Sequence, residues 1–240
     1  MSAVTSATSG TAGGLKIAAL VPAYQAAAHL GEVLLGLAAL PGRPHVLVVD
    51  DGSRDATADV ARQFGVQVHS FAANRGKGHA LLAGFELLRE FDAVVTLDAD
   101  GQHPPACLPA FVAAAEAGAD LVLGKREITP NMPPARRFAN RFSSAWCSAL
   151  AGQAISDSQC GYRLYRREVL RRTPVQASRY EVETEMAVRA ARLGFKVAHV
   201  DIPTVYGDET SHLSPTRDVP RIIAMMVRLT FESRPTPKDS

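Results

Sequence analysis

Two aspartates two residues apart, Asp98 and Asp100, follow the apolar run Ala93 to Leu97. Side chains at i and i+2 of an extended chain point to the same side. Leaving a buried strand together, the two carboxylates face whatever lies beyond its end. With no thiolate or imidazole in the set, oxygen donors of this kind favour a hard divalent cation, Mg²⁺ or Mn²⁺, which would neutralise a diphosphate. Gln102 offers a third oxygen. A second acidic turn, Asp50-Asp51-Gly52-Ser53, closes the run Val46 to Val49. An ionised carboxylate only accepts hydrogen bonds, so it suits the N–H edge of a base or the hydroxyls of a ribose. Tyr24, just after the first apolar run, can stack on that base. Singly, Asp-Gly-Ser is ordinary turn chemistry; acidic turns at the ends of separate apolar runs are what suggest a cleft.

The elements that must position these residues are legible as alternating short β-rich runs and helical patterns. The runs Lys16 to Val21, Val46 to Val49, Val66 to Ser70, Ala93 to Leu97 and Leu121 to Leu123 are predicted as buried parallel strands. Between them, His29 to Leu40, Ala56 to Phe64, His79 to Phe91 and Leu108 to Ala117 carry apolar residues at helical spacing, giving a β-α-β-α order and a doubly wound, mainly parallel α/β sheet. Asp55 and Thr57 stand where they can cap the second helix. In such sheets ligands collect beyond the carboxyl ends of the strands, and those ends read Pro22-Ala23-Tyr24, Asp50 to Ser53, Asn74 to Gly78 and Asp98 to Pro105. No G-x-G-x-x-G follows the first strand and no G-x-x-x-x-G-K-[ST] occurs, which disfavours a nicotinamide-dependent dehydrogenase and a P-loop ATPase. The second half predicts helices at Arg137 to Leu150 and Glu183 to Leu193, a short segment Gly161 to Arg166, a strand Lys196 to Ile202 and a closing helix Asp218 to Glu232.

The 240 residues, 47% of them apolar, suffice for one large core. Residues 1–14 read as a disordered tail, 15–215 as the catalytic domain and 216–240 as an amphipathic helix and tail that can rest on a membrane surface. No apolar stretch is long enough to span a bilayer. Cys107, Cys147 and Cys160 lie far apart, as reduced thiols in a cytoplasmic compartment would. The formal charge is only +2, but ten Lys or Arg against three acidic residues fall between Lys125 and Arg172. That segment can face an anionic lipid, a phosphorylated substrate or simply solvent. Its aromatic residues sit at core-like helical spacing, which argues against nucleic acid as a partner.

The motifs P-A-Y, V-V-D-D-G-S, N-R-G-K-G-H-A, D-A-D-G-Q-H-P-P, G-K-R and D-S-Q-C-G-Y-R occur in the order seen in family 2 glycosyltransferases. Over roughly residues 15 to 215 the chain resembles that family, and within it the dolichyl- and polyprenyl-phosphate sugar (mannose) synthases. The resemblance implies a glycosyltransferase A-type fold. It also implies transfer of a sugar from a nucleotide-diphosphate donor, GDP-mannose or a UDP-sugar, to a lipid phosphate. It places Pro22, Tyr24, Val49 and Asp51 on the nucleoside, and Asp98, Asp100 and Gln102 on the metal and diphosphate. Lys77, Ala99 and His212 complete the donor side. His212 and Arg217 stand in a segment where relatives carry other basic groups. Arg126, Arg136 or Arg137, and Arg163 belong to the acceptor side, guanidinium groups being suited to bidentate phosphate contacts. Asp157 is either a base or the group that orients Arg163. A phosphate acceptor is already ionised, whereas a hydroxyl acceptor, the alternative, requires a base, for which Asp157 and Glu185 are the candidates.

Overall fold

The computed structural model describes residues 14–127, 134–177, 179–203 and 215–232. Seven strands form one sheet: β1 (Ile17–Ala23), β2 (His45–Asp50), β3 (Gln67–Ser70), β4 (Ala93–Thr96), β5 (Leu121–Arg126), β6 (Arg163–Arg166) and β7 (Val197–Ile202), in the spatial order β3-β2-β1-β4-β6-β5-β7. β1 pairs in parallel with β2 and β4, and β2 with β3. β6 runs antiparallel to both of its neighbours, β4 and β5, while β5 and β7 are parallel.

Continuous apolar runs make these strands because both faces of the sheet are covered. Ala18 and Leu20 of β1 face one core with Leu47 and Val49 of β2, under the helices α3 (Lys77–Leu87), α5 (Pro134–Ala151), α7 (Glu181–Arg192) and α8 (Pro215–Phe231). Ala19 and Val21 face the other core with Val48, under α1 (Leu30–Ala38), α2 (Thr57–Gln63) and α4 (Leu108–Glu116). A short helix α6 (Arg167–Arg172) follows β6. In α1 the buried residues are Leu30, Val33, Leu34 and Leu37, the i, i+3, i+4, i+7 stripe of an amphipathic helix. Fully burying each such leucine stabilises the fold by about 1.5–3 kcal/mol. α8 belongs to the same core: Met225, Met226 and Leu229 are buried in it, and the Cys147 thiol of α5 lies 3.6 Å from the Met226 sulfur.

The doubly wound, GT-A type sheet predicted from the sequence is the one observed, with three differences. β3 is half exposed and not buried, because it is the edge of the sheet and only β2 pairs with it. β6 is the antiparallel member. α6 has one buried apolar residue, Val169, too few for a periodic signal. The expected tail and His212, and the side chains of Arg136 and Arg217, lie outside the described residues. Asp55 accepts the Thr57 N–H at 3.1 Å and also the Ala27 N–H at 3.1 Å, tying the start of α2 to the segment after β1.

Candidate active site

The acidic turn after β2 is built by hydrogen bonds to the loop after β3. Asp51 accepts the Arg75 N–H on Oδ1 and the Gly76 N–H on Oδ2, each at 2.7 Å. Asp50 accepts the Ser53 N–H at 3.0 Å. Gly52 has φ +70°, and a Cβ there would meet the Ala73 backbone at 2.5 Å, so only glycine allows the two loops to touch. Asp51 thus holds the entrance to α3, with its side chain buried. Tyr24 and Pro22 lie at the end of β1 beside this turn, Tyr24 half buried and Pro22 buried. Val49 is wholly enclosed in the core between sheet and helices, so its side chain is packing.

Fixing the start of α3 fixes Lys77, its first residue. The ammonium lies 2.5 Å from Asp98 Oδ1 and 2.8 Å from Glu183 Oε2 of α7. Burial alone would lower the Lys77 pKa, but the charges of Asp98 and Glu183 outweigh it and hold the group well above the ordinary lysine value. Burial likewise pushes Asp98 up, and Lys77 overcomes it, keeping Asp98 a carboxylate below its usual range. On its other side Asp98 rests against Gly161, where a Cβ would meet Oδ2 at 2.3 Å. The Thr96 hydroxyl donates to the Gly161 carbonyl at 2.8 Å and clips this approach in place.

Asp100 accepts the Gln102 N–H at 3.0 Å, closing a tight turn after Ala99, which is buried. Among the described residues no three His, Cys, Asp or Glu side chains gather around one point. Asp98, Asp100 and Gln102, close together in sequence, offer oxygen donors only, the kind that suits Mg²⁺ or Mn²⁺. His103 is buried with its Nε2 3.9 Å from the Cys160 sulfur, and burial lowers its pKa, so it packs under the turn as a neutral ring. Burial pushes the Cys160 thiol up to about 12.

Arg126, at the end of β5, makes a bidentate pair with Asp157: Nε donates to Oδ2 at 2.7 Å and a terminal nitrogen to Oδ1 at 3.0 Å. Asp157 also accepts the Gln159 N–H at 3.2 Å. Burial would raise Asp157, but Arg126 more than offsets it, and the carboxyl sits below its ordinary value. Its partner is therefore Arg126, not Arg163. Arg163 is 1% exposed and donates to three backbone carbonyls, those of Cys160, Glu183 and Ser158. This corrects its expected acceptor contact: it stitches β6 and the 157–161 segment to α7. Glu185 is corrected too, since all its acceptor capacity is directed at Gln176 N–H, Ala177 N–H, Arg189 and Arg228. Much of the basic segment is spent in the same way, with Arg166 donating to the Ala115 and Ala119 carbonyls. Arg137 is half buried near the start of α5.

Two residues escaped sequence reasoning. Gly161 lies within a quoted motif, but its role needs the distance to Asp98. Glu183 carries no signal beyond being one of three glutamates opening α7.

A family model described as Glycosyl transferase family 2 matches residues 18–173. The chain is 33% identical over 198 residues to the polyprenol monophosphomannose synthase of Mycolicibacterium smegmatis, covering 76% of this chain and 75% of the relative. It is 32% identical over 205 residues to the undecaprenyl-phosphate mannosyltransferase of Micrococcus luteus, covering 80% and 84%. In fold it is similar to glucosyl-3-phosphoglycerate synthase from Mycobacterium tuberculosis, solved with Mn²⁺, UDP-glucose and phosphoglyceric acid. That likeness has a TM-score of 0.74 at 22% identity over 90% of this chain and 80% of that one. The family match runs from β1 through α6 and takes in both acidic turns, Lys77 and the Arg126–Asp157 pair, so the chain belongs to glycosyl transferase family 2 and is a glycosyltransferase.

Proposed function

We propose that this glycosyltransferase moves a hexosyl group, with inversion, from a GDP- or UDP-sugar to a polyprenyl phosphate. The observation that carries the acceptor assignment is the Arg126–Asp157 pair. A hydroxyl acceptor needs a base, and neither carboxylate expected in that role is available. Asp157 is held ionised by a bidentate guanidinium, and Glu185 is saturated with donors. A phosphate acceptor is already an anion near neutral pH and needs only position and charge. Arg126 supplies both: Asp157 fixes its plane, and its charge reaches Asp98 at the donor side of the cleft. The names of the two curated relatives, both acting with polyprenyl-type phosphates, support the same acceptor.

On the donor side, the end of β1 and the turn after β2 would bind the nucleoside, with Tyr24 stacked on the base. Asp98, Asp100 and Gln102 would hold Mg²⁺ or Mn²⁺, the ions bound by the structural neighbours. When bound, the cation supplies charge stabilisation for the departing nucleoside diphosphate. Lys77 keeps Asp98 ionised.

A lipid acceptor also accounts for the outer face of the molecule. Phe138 and Phe142 of α5 are 72% and 57% exposed, and Val219, Ile223, Val227 and Phe231 form an exposed row along α8 at every fourth residue. Arg141 and Arg221 stand exposed on the same helices. Exposed apolar rows with arginines beside them suit the surface of an anionic bilayer. Among the described residues no helix is long and apolar enough to cross a membrane, so the contact would be peripheral.

The test is release of nucleoside diphosphate from a panel of GDP- and UDP-sugars with Mn²⁺, with and without a short polyprenyl phosphate. Release that depends on the lipid phosphate is expected, and Asp100→Ala should lower it by at least about 10²-fold. Equal release with a non-phosphorylated polyprenol would overturn the acceptor assignment.

A further inference from the structure

We propose that Lys77 is a built-in counter-ion that a divalent cation must dislodge from Asp98, and that Glu183 is the seat to which it moves. The inference rests on the reading of Asp98 as a cation ligand. One ammonium lies between two carboxylates, 2.5 Å from Asp98 and 2.8 Å from Glu183. The Lys77 and Glu183 side chains are only 16% and 8% exposed, while Asp98 keeps 27% exposure. The Asp98 end of the triad is thus the side a cation can reach.

Like charges repel strongly where water is scarce. A dication on Asp98 and an ammonium on the same carboxylate group disfavour each other, so either the lysine yields or the cation binds weakly. Glu183 gives the ammonium somewhere to go: its Oε2 already touches Lys77, and its Oε1 is buried without a hydrogen-bond partner. Asp98 cannot withdraw instead, because Gly161 closes its far side, with the Thr96 hydroxyl holding the Gly161 carbonyl. The anchor of Lys77 at the other end is equally fixed, since Asp51 holds the N–H groups of Arg75 and Gly76 just before it. What remains free to change is the distal part of the lysine side chain, over the short span between the two carboxylates. Glu183 is therefore a positioning residue for the cation site, acting from the first turn of α7 through Lys77.

The experiment titrates Mn²⁺ alone into the full chain without donor, with unbound Mn²⁺ counted by its electron paramagnetic resonance signal, and a thermal melt of each variant as a check of folding. Lys77→Met should bind Mn²⁺ about tenfold more tightly than the wild type, or show binding where the wild type shows none, which corresponds to about 1.4 kcal/mol. Lys77→Gln, which keeps N–H donors for both carboxylates, takes its place if the methionine variant does not fold. Glu183→Gln should bind about tenfold more weakly than the wild type, because the lysine is then left to Asp98 alone. Asp98→Asn serves as the reference for the metal reading. If neither Lys77 variant binds Mn²⁺ more tightly than the wild type while Asp98→Asn binds less, the counter-ion proposal is overturned and the metal reading stands. If Asp98→Asn binds as the best of the Lys77 variants does, the metal reading itself fails and takes the proposal with it.

Discussion

A carboxylate that accepts two guanidinium N–H groups and a backbone N–H has little affinity left for a proton, and Asp157 is in that position. Its pKa lies below the ordinary 3.8. A depressed folded-state pKa contributes stability that is fully present above the unfolded value and is lost as pH falls through the folded one. The pair should therefore stabilise the protein at neutral pH and fail only below 3.8. Asp157→Asn leaves Arg126 enclosed without an anion and should cost about 3 kcal/mol. Thermal melts should show that deficit at neutral pH and a gap that narrows as pH falls below 3.8. A constant gap across that range would assign the loss to packing instead. At this scale the sequence reveals the residues that point out of strand ends, such as Asp98 and Asp100, because spacing alone orients them. It does not reveal who pairs with whom. Arg126 with Asp157 and Lys77 with Glu183 join distant stretches of chain, and burial, which turns Arg163 from a phosphate ligand into a clamp on three carbonyls, is a property of the folded molecule.

Elements here act as spacers whose tolerances are set by contact. β6 reaches its place beside β4 only after the turn at Gly161 has passed Asp98, and the room there is too small for a single methyl group. Gly161→Ala should thus displace the Asp98 carboxylate. Overpacking of this kind costs about 1–3 kcal/mol, so the fold should survive in a melt while lipid-dependent turnover falls by about tenfold or more, the effect of misplacing a carboxylate of the proposed donor site. Turnover equal to that of the wild type would mean that the segment yields and Asp98 does not. The elements themselves were well foreshadowed wherever one pattern ruled: β1, β2 and β4 by their apolar runs, α1 by its stripe. Where two demands compete, sequence says less. β3 holds a single β-former, Val68, and lies half exposed at the edge, and α3 starts at Lys77, two residues ahead of its apolar pattern, because Asp51 organises the loop before it.

The whole molecule brings together two kinds of chemistry, carboxylates paired with cations at the strand ends and exposed apolar rows on α5 and α8. Phe138→Ser together with Phe142→Ser should reduce cosedimentation with anionic vesicles by about tenfold, the loss expected when two large apolar groups no longer enter the bilayer boundary. Turnover on a short polyprenyl phosphate in detergent should be kept. Unchanged sedimentation would take α5 out of the proposed membrane contact. The arrangement of the sheet has a further consequence, for synthesis on the ribosome. β5 emerges before either of its partners, since β6 and β7 both follow it in the chain, and the outer edge of β4 waits for the same late strand. A nascent chain that has delivered its first five strands holds a parallel block of four and one strand with no neighbour. Open edges of this kind pair readily with other chains, and pairing over long sequence separations is slow. The completion of α5 and its return through β6 is thus the step at which the growing chain either closes its own sheet or offers it to another molecule.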